Sequence, residues 1–283
     1  MDQRIIDLYD EYTHRPLSRE SFIRRLMQLT GGLTAAMTIL PLLEGNYAVA
    51  QTVQADKLFT EKVEYSSPGS TMKAYVARPL ALKKYPAVIV IHENRGLNAH
   101  IEDVTRRAAL AGFLAIAPDG LSSVGGTPAN EDAARDLFSK LVPEENTARF
   151  AATLPYLKSR PDCTGSIGCV GFCWGGAMAN SLAVTVPEMK AAVAFYGRQP
   201  ESGKVPAIKA AIQLHYGALD ERVNAGLTSY EEALKANGIR YEQYIYEGVN
   251  HAFHNDTSAA RYNKEAATLA WSRTIAFLTR YLA

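Results

Sequence analysis

Residues 170–178, VGFCWGGAM, decide how the chain is read. Val170, Gly171 and Phe172 close the apolar run SIGCVGF, which has the look of a buried strand, and Trp174 opens WGGAMANSLAVTV, which continues with helical character. Between them stands Cys173, with Gly171 two positions before it and Gly175 two after. That is the spacing of a nucleophile elbow, where a strand turns sharply into a helix and the glycines let neighbouring backbones pass closely. Such a turn lifts the central side chain to the end of a sheet, and the N–H of Trp174 at the helix start faces the place where an oxyanion forms. A short motif of this kind also arises from packing alone, so the rest of the chain has to decide.

On both sides of the elbow, strand-like and helix-like blocks alternate with no internal repeat. EKVEYSSPGSTMKAYVARP reads as a hairpin around Ser67-Pro68-Gly69. YPAVIVIHENRG and FLAIAPDG are apolar runs of strands covered on both faces, and the helical block NAHIEDVTRRAALAG lies between them. NEDAARDLFSK and ENTARFAATLPYLKS each predict a helix. After the elbow come strands AAVAFYG and AAIQLHYG, helix AGLTSYEEALKANG, strand YEQYIYEG and a long terminal helix over 262–282. The pattern predicts an α/β fold with a single mostly parallel sheet, helices on both faces and ligands beyond the carboxyl ends of the strands.

Within such a sheet, an α/β-hydrolase needs nucleophile, acid and histidine in that chain order, each at a successive strand end. Asp220, in LHYGALDERV, and His251, in YEGVNHAFHND, satisfy that requirement. His251 would take the proton of Cys173, and Asp220 would orient the ring and stabilise its cation. Glu221 is the rival acid and His254 the rival histidine. In the loop IHENRGLN, the N–H of Asn94 is the candidate that completes the oxyanion hole with Trp174. Glu93 could hold the thiol or the histidine in a resting arrangement, or it could form a loop-fixing ion pair with Arg95.

The chain has 283 residues, 47% of them hydrophobic and 21% charged, with a formal net charge of +1. No basic tract points to nucleic acid and no acidic tail to a solvating segment. Cys163, Cys169 and Cys173 are the three cysteines; an odd number so closely spaced argues against a disulfide framework, and no ligand spacing suggests a structural metal.

Residues 1–54 are set apart from a catalytic domain over 55–283. LSRESFIRRLMQLTGGLTAAMTILPLLEGNYAVAQ has the order of an export signal, basic then apolar, ending in Ala48-Val49-Ala50. Glu20 stands where a twin-arginine signal would carry its second arginine. The apolar run is too short and polar for a permanent span of about 20 apolar residues. The lead MDQRIIDLYDEYTHRP is acidic, and its Ile5, Leu8, Tyr9 and Tyr12 follow a helical spacing, which fits an arm that packs on the domain or on a second subunit of a homo-oligomer. An exported, periplasmic protein and a cytoplasmic one with a retained arm both remain open.

GFCWGG around Cys173, ALD at Asp220, NHAF at His251 and HEN at Glu93 resemble the dienelactone hydrolase (carboxymethylenebutenolidase) family, over roughly residues 63–282. HENRGLNAHIEDVTRR, APDGLSSVGGTPANED, FYGRQ and VNHAFHND are similar to a bacterial branch whose members often carry an export-like N-terminus. The resemblance implies a hydrolase that needs no metal or cofactor and opens an ester or lactone through an acyl-cysteine, with Glu93 helping to generate the thiolate. It also implies one arginine shortly after the histidine and another after APD to grip a substrate carboxylate. Here those places hold Ala252-Phe253-His254-Asn255 and Gly120-Leu121-Ser122-Ser123. Arg198 or Arg95 is the candidate replacement, with Trp174, Ser122 and His254 as further substrate contacts. The competing readings are a non-catalytic binding or assembly protein that uses its arm, and a thiol redox protein, for which a buried Cys169 would be a poor partner.

Overall fold

The computed structural model describes residues 1–45 and 55–283. The Ala48-Val49-Ala50 end of the export-like segment therefore lies outside the described residues. Eight strands form one sheet in the order β1-β2-β4-β3-β5-β6-β7-β8. β1 (Leu58–Ser67) and β2 (Ser70–Pro79) make the expected hairpin and run antiparallel to their neighbours. β3 (Tyr85–Ile91), β4 (Leu114–Pro118), β5 (Cys163–Phe172), β6 (Ala191–Phe195), β7 (Ala211–Gly217) and β8 (Tyr241–Tyr246) are all parallel.

The central strands are apolar throughout because both faces are covered. Ile89 and Ile91 of β3 join Phe150, Leu182 and Tyr230 on one side, while Val88 and Val90 join Val104, Phe277 and Leu278 on the other. The second layer rests on α4 (Ala99–Leu110) and α11 (Lys264–Leu282); the first rests on α6 (Pro143–Ala151), α7 (Thr153–Ser159), α8 (Trp174–Thr185) and α10 (Leu227–Ala236). Two helices depart from the sequence reading. The single helix expected over ENTARFAATLPYLKS is broken into α6 and α7 at Ala152, because Pro155 has no N–H to continue the ladder. A short α9 (Glu221–Asn224) precedes α10; Asp220 caps it by accepting from the N–H of Val223 at 3.3 Å.

The N-terminal residues form three helices, α1 (Gln3–His14), α2 (Arg19–Thr30) and α3 (Leu33–Leu43), with a core of their own. Ile5, Leu8, Tyr9 and Tyr12, the apolar stripe of α1, are buried with Phe22, Leu26 and Leu40. α2 and α3 meet at 112° across Gly31 and Gly32, both at positive φ, where a side chain would be strained. Among the described residues no single helix is long and apolar enough to cross a membrane, although this bent pair passes that test together by length and composition. The remaining helix, α5 (Glu131–Phe138), receives the arm: Tyr12 Oη donates to Asp132 at 2.6 Å, Arg19 pairs with the same carboxylate at 2.7 Å, and Arg135 stacks over the Tyr12 ring at 4.3 Å. On the far side Ala260 N donates to Leu42 O at 3.0 Å.

Candidate active site

The elbow is held by close approach. A Cβ at Gly171 would lie 1.9 Å from Gly175 O, one at Gly175 would lie 2.3 Å from Ile91 O, and one at Gly176 would lie 2.6 Å from Phe195 O. These positions admit hydrogen only, and they force Cys173 to φ 55 and ψ −113 between β5 and α8. Tyr196 and Ala252 are the other non-glycine residues at positive φ among those described, and both flank the same site. Trp174 is the first residue of α8, so its N–H has no acceptor within the helix.

Asp220 follows β7 and His251 follows β8. His251 Nδ1 lies 2.5 Å from Asp220 Oδ2, which leaves the buried Nε2 without a hydrogen-bond partner. Its imidazole pKa is raised well above the usual value: burial opposes the charge, but Asp220, then Asp10 and Cys173, more than offset it. Glu221 begins α9 exposed to solvent. His254 is a core residue rather than a site residue, stacked on Phe172 at 4.9 Å, and burial holds its pKa well below the usual value. Nor does Ser122 reach Cys173: its hydroxyl donates to Asp119 O at 2.5 Å and accepts from Lys73 N.

The nearest partner of the thiol comes from elsewhere. His14, the last residue of α1, places Nε2 3.0 Å from Cys173 Sγ, and its Nδ1 lies 3.0 Å from Asp10 Oδ1. Arg222 Nε donates to the other oxygen of Asp10 at 2.8 Å, and Asn94 Nδ2 donates to Thr13 O at 2.8 Å. The rings of His14 and His251 meet edge to face, with centroids 4.8 Å apart. Burial by itself would push the Cys173 thiol up; His14 first, and His251 second, reverse that and bring it down to about 6. Burial also disfavours charge on His14, but the thiolate and Asp10 win and raise its pKa. Cys169, on β5, has only burial acting strongly on it and is pushed up to about 12; all three cysteines are free.

Glu93, expected near the thiol or the histidine, has its carboxylate engaged by Asn255 Nδ2 at 2.6 Å and Tyr196 Oη at 3.2 Å. Arg95 is buried and faces Glu131 at 3.6 Å. Trp174 stacks on His92 at 5.3 Å, whose Nε2 accepts from Gly120 N. A cleft of about 630 Å³ opens at Cys173, lined among others by Trp174, Phe138, Leu17 and Arg198.

Sequence reasoning missed His14, Asp10, Tyr196 and Asn255. The Asp10–His14 spacing puts both on one helical face, but such pairs are too common to mark a site unless the fold of the arm is known. A ring nitrogen of His14, the sulfur of Cys173 and a ring nitrogen of His251 all lie within 4.8 Å of one another, brought together from three distant parts of the chain.

Residues 72–282 match the family model described as the dienelactone hydrolase family. A Synechocystis protein provisionally named a carboxymethylenebutenolidase is 33% identical over 218 residues, covering 70% of this chain and 87% of its own. A Salmonella typhimurium protein with the same provisional name is 32% identical over 231 residues, covering 76% and 85%. Among solved structures, a provisionally named dienelactone hydrolase from Klebsiella pneumoniae superposes with a TM-score of 0.72 at 30% identity, covering 79% of this chain and 99% of its own.

Proposed function

The chain belongs to the dienelactone hydrolase family, with its α/β-hydrolase fold, and from that premise we propose that it hydrolyses a carboxylic ester or lactone through Cys173, His251 and Asp220. The observation that carries this reading is the buried, unpartnered Nε2 of His251, on a ring that Asp220 orients through Nδ1 and that brings a nitrogen within 4.8 Å of Sγ. In the cycle, the Cys173 thiolate attacks the carbonyl carbon and a C–S bond forms. The N–H groups of Trp174 and Asn94 receive the negative oxygen. As the C–O bond breaks, the His251 imidazolium gives its proton to the leaving oxygen. The neutral ring then takes a proton from water, whose oxygen attacks the thioester; the C–S bond breaks, the acid leaves and the thiolate returns. Trp174 and Phe138 offer the acyl or leaving group a flat apolar wall, and Arg198, exposed at the cleft, offers a guanidinium for a carboxylate.

Cys173→Ala should abolish turnover of short p-nitrophenyl esters and of a lactone panel, and the wild type should accumulate an acylated Cys173 visible by mass spectrometry. An unchanged rate in the variant overturns the reading.

A further inference from the structure

The N-terminal arm brings a second carboxylate–imidazole pair to the nucleophile. We propose that His14, oriented by Asp10, is a catalytic residue: its imidazolium is the resting counter-ion of the Cys173 thiolate, supplied by a helix that lies outside the sheet carrying the rest of the site. The proposal rests on Cys173 being the nucleophile.

Four observations converge. His14 Nε2 stands 3.0 Å from Sγ, at hydrogen-bond distance, whereas the Nε2 of His251 makes no hydrogen bond. Asp10 faces Nδ1 with its backbone O at 2.9 Å and its Oδ1 at 3.0 Å, and its carboxylate is held by Arg222, so the ring is fixed in the tautomer that presents Nε2 to sulfur. His14 ends α1 and Cys173 caps the start of α8; a helix C-terminus favours a cation and an N-terminus an anion, so both termini favour the ion pair. Glu93, the carboxylate implied for this task, is bonded to Tyr196 and Asn255. The charged and titratable groups facing the pair are Asp10 and His14 of α1, Asp220 and Arg222 at α9, His251 after β8 and Tyr196 after β6, with Glu93, Arg95, Glu131 and Arg261 lining the small cavity beside it.

The step is a single proton transfer: the S–H bond breaks, the proton moves to Nε2 of His14, and the electron pair stays on sulfur. His14 keeps this proton while His251 serves the leaving group and the water. Asp10 balances the imidazolium while sulfur is acylated. Docking of the arm is then a condition of nucleophile activation.

The test uses the full chain. The thiolate of Cys173 is titrated by the pH dependence of its alkylation with iodoacetamide, followed by mass spectrometry at that residue, and kcat/KM for an ester substrate is measured in parallel. In His14→Gln, which can keep a hydrogen bond but not the charge, the thiolate midpoint should rise by about two pH units and kcat/KM at pH 6.5 should fall by roughly 25-fold as the thiolate fraction drops. Asp10→Asn, which leaves the ring in place, should raise the midpoint by about one unit. An unchanged midpoint in both variants overturns the pairing, and an unchanged or increased kcat/KM in His14→Gln shows the arm to be a cover rather than a working part. If the wild type hydrolyses nothing, the proposed function fails, while the alkylation midpoint still decides the pairing.

Discussion

Two carboxylate–imidazole pairs face Cys173, and they reach it from opposite ends of the chain. Asp220 and His251 stand on loops at the ends of β7 and β8, positions dictated by the sheet. Asp10 and His14 stand one helical turn apart on α1, which reaches the site only because the arm has its own small core and its own anchors. The first pair is bonded internally and leaves Nε2 open; the second has its Nε2 already on sulfur. The difference suggests a division of labour, one imidazole free to move protons and one committed to holding charge. It also places the two pairs on different supports, since the sheet loops are fixed by the main core and the arm is held by a small core of its own.

The largest effect should come from the sheet-borne pair. Asp220→Asn preserves the shape but not the charge and tautomer control of His251, and kcat should fall by about 10⁴-fold. A loss from Asp10→Asn as large as this would erase the distinction between the pairs. Next in size is detachment of the arm. Phe22 is fully buried and stacked on Tyr12 at 4.4 Å, so Phe22→Ala should cost the arm core roughly 3–5 kcal/mol. Trypsin should then cleave at Arg24 or Arg25 while β1 to α11 stay folded, and the thiolate midpoint should rise as in His14→Gln. Cleavage with no change in midpoint would separate the arm from the chemistry.

The pH dependence distinguishes the pairs more finely. Cys173 is lowered from the usual 9.0 to about 6, so the acid limb of kcat/KM should lie near pH 6. Because the folded value is the lower one, the stability that the thiolate contributes is complete above pH 9 and is lost as the pH falls through 6. Cys173→Ser should flatten that part of the stability curve, measured by urea denaturation across the range, and a curve of unchanged shape would count against a resting thiolate.

How much of this was legible in the sequence differs sharply between the two regions. The strands of the sheet read directly, because being covered on both faces leaves runs such as YPAVIVI and AAVAF with almost no choice but apolar residues. Chain order then pointed to Cys173, Asp220 and His251 as one cluster. The apolar stripe of α1 also read correctly as a helix, with Ile5, Leu8, Tyr9 and Tyr12 buried. Its polar face did not read as part of a site, because a stripe says which side packs and not against what. The break between α6 and α7 at Pro155 is local chemistry present in the sequence and overlooked. The engagement of Glu93 by Asn255 and Tyr196 joins residues 162 and 103 positions away, which periodicity cannot reach.

The smallest expected effect is the sharpest discriminator. Glu93 accepts from Asn255 Nδ2, and Asn255 Oδ1 in turn accepts from the N–H and the hydroxyl of Thr257 at 3.1 and 2.6 Å. Tyr196 Oη donates to the other carboxylate oxygen, and the Tyr196 ring packs on His251 at 4.9 Å. Glu93 therefore ties the loop after β3 to the loop after β8 and acts on the position of His251. Glu93→Gln keeps the shape and one acceptor, and it should cost about 1–3 kcal/mol through the mismatched amide while moving the thiolate midpoint by less than about half a pH unit. If this substitution instead raises the midpoint as far as His14→Gln does, the thiol is activated through the carboxylate that the family resemblance implies, and the arm loses its claim on the chemistry.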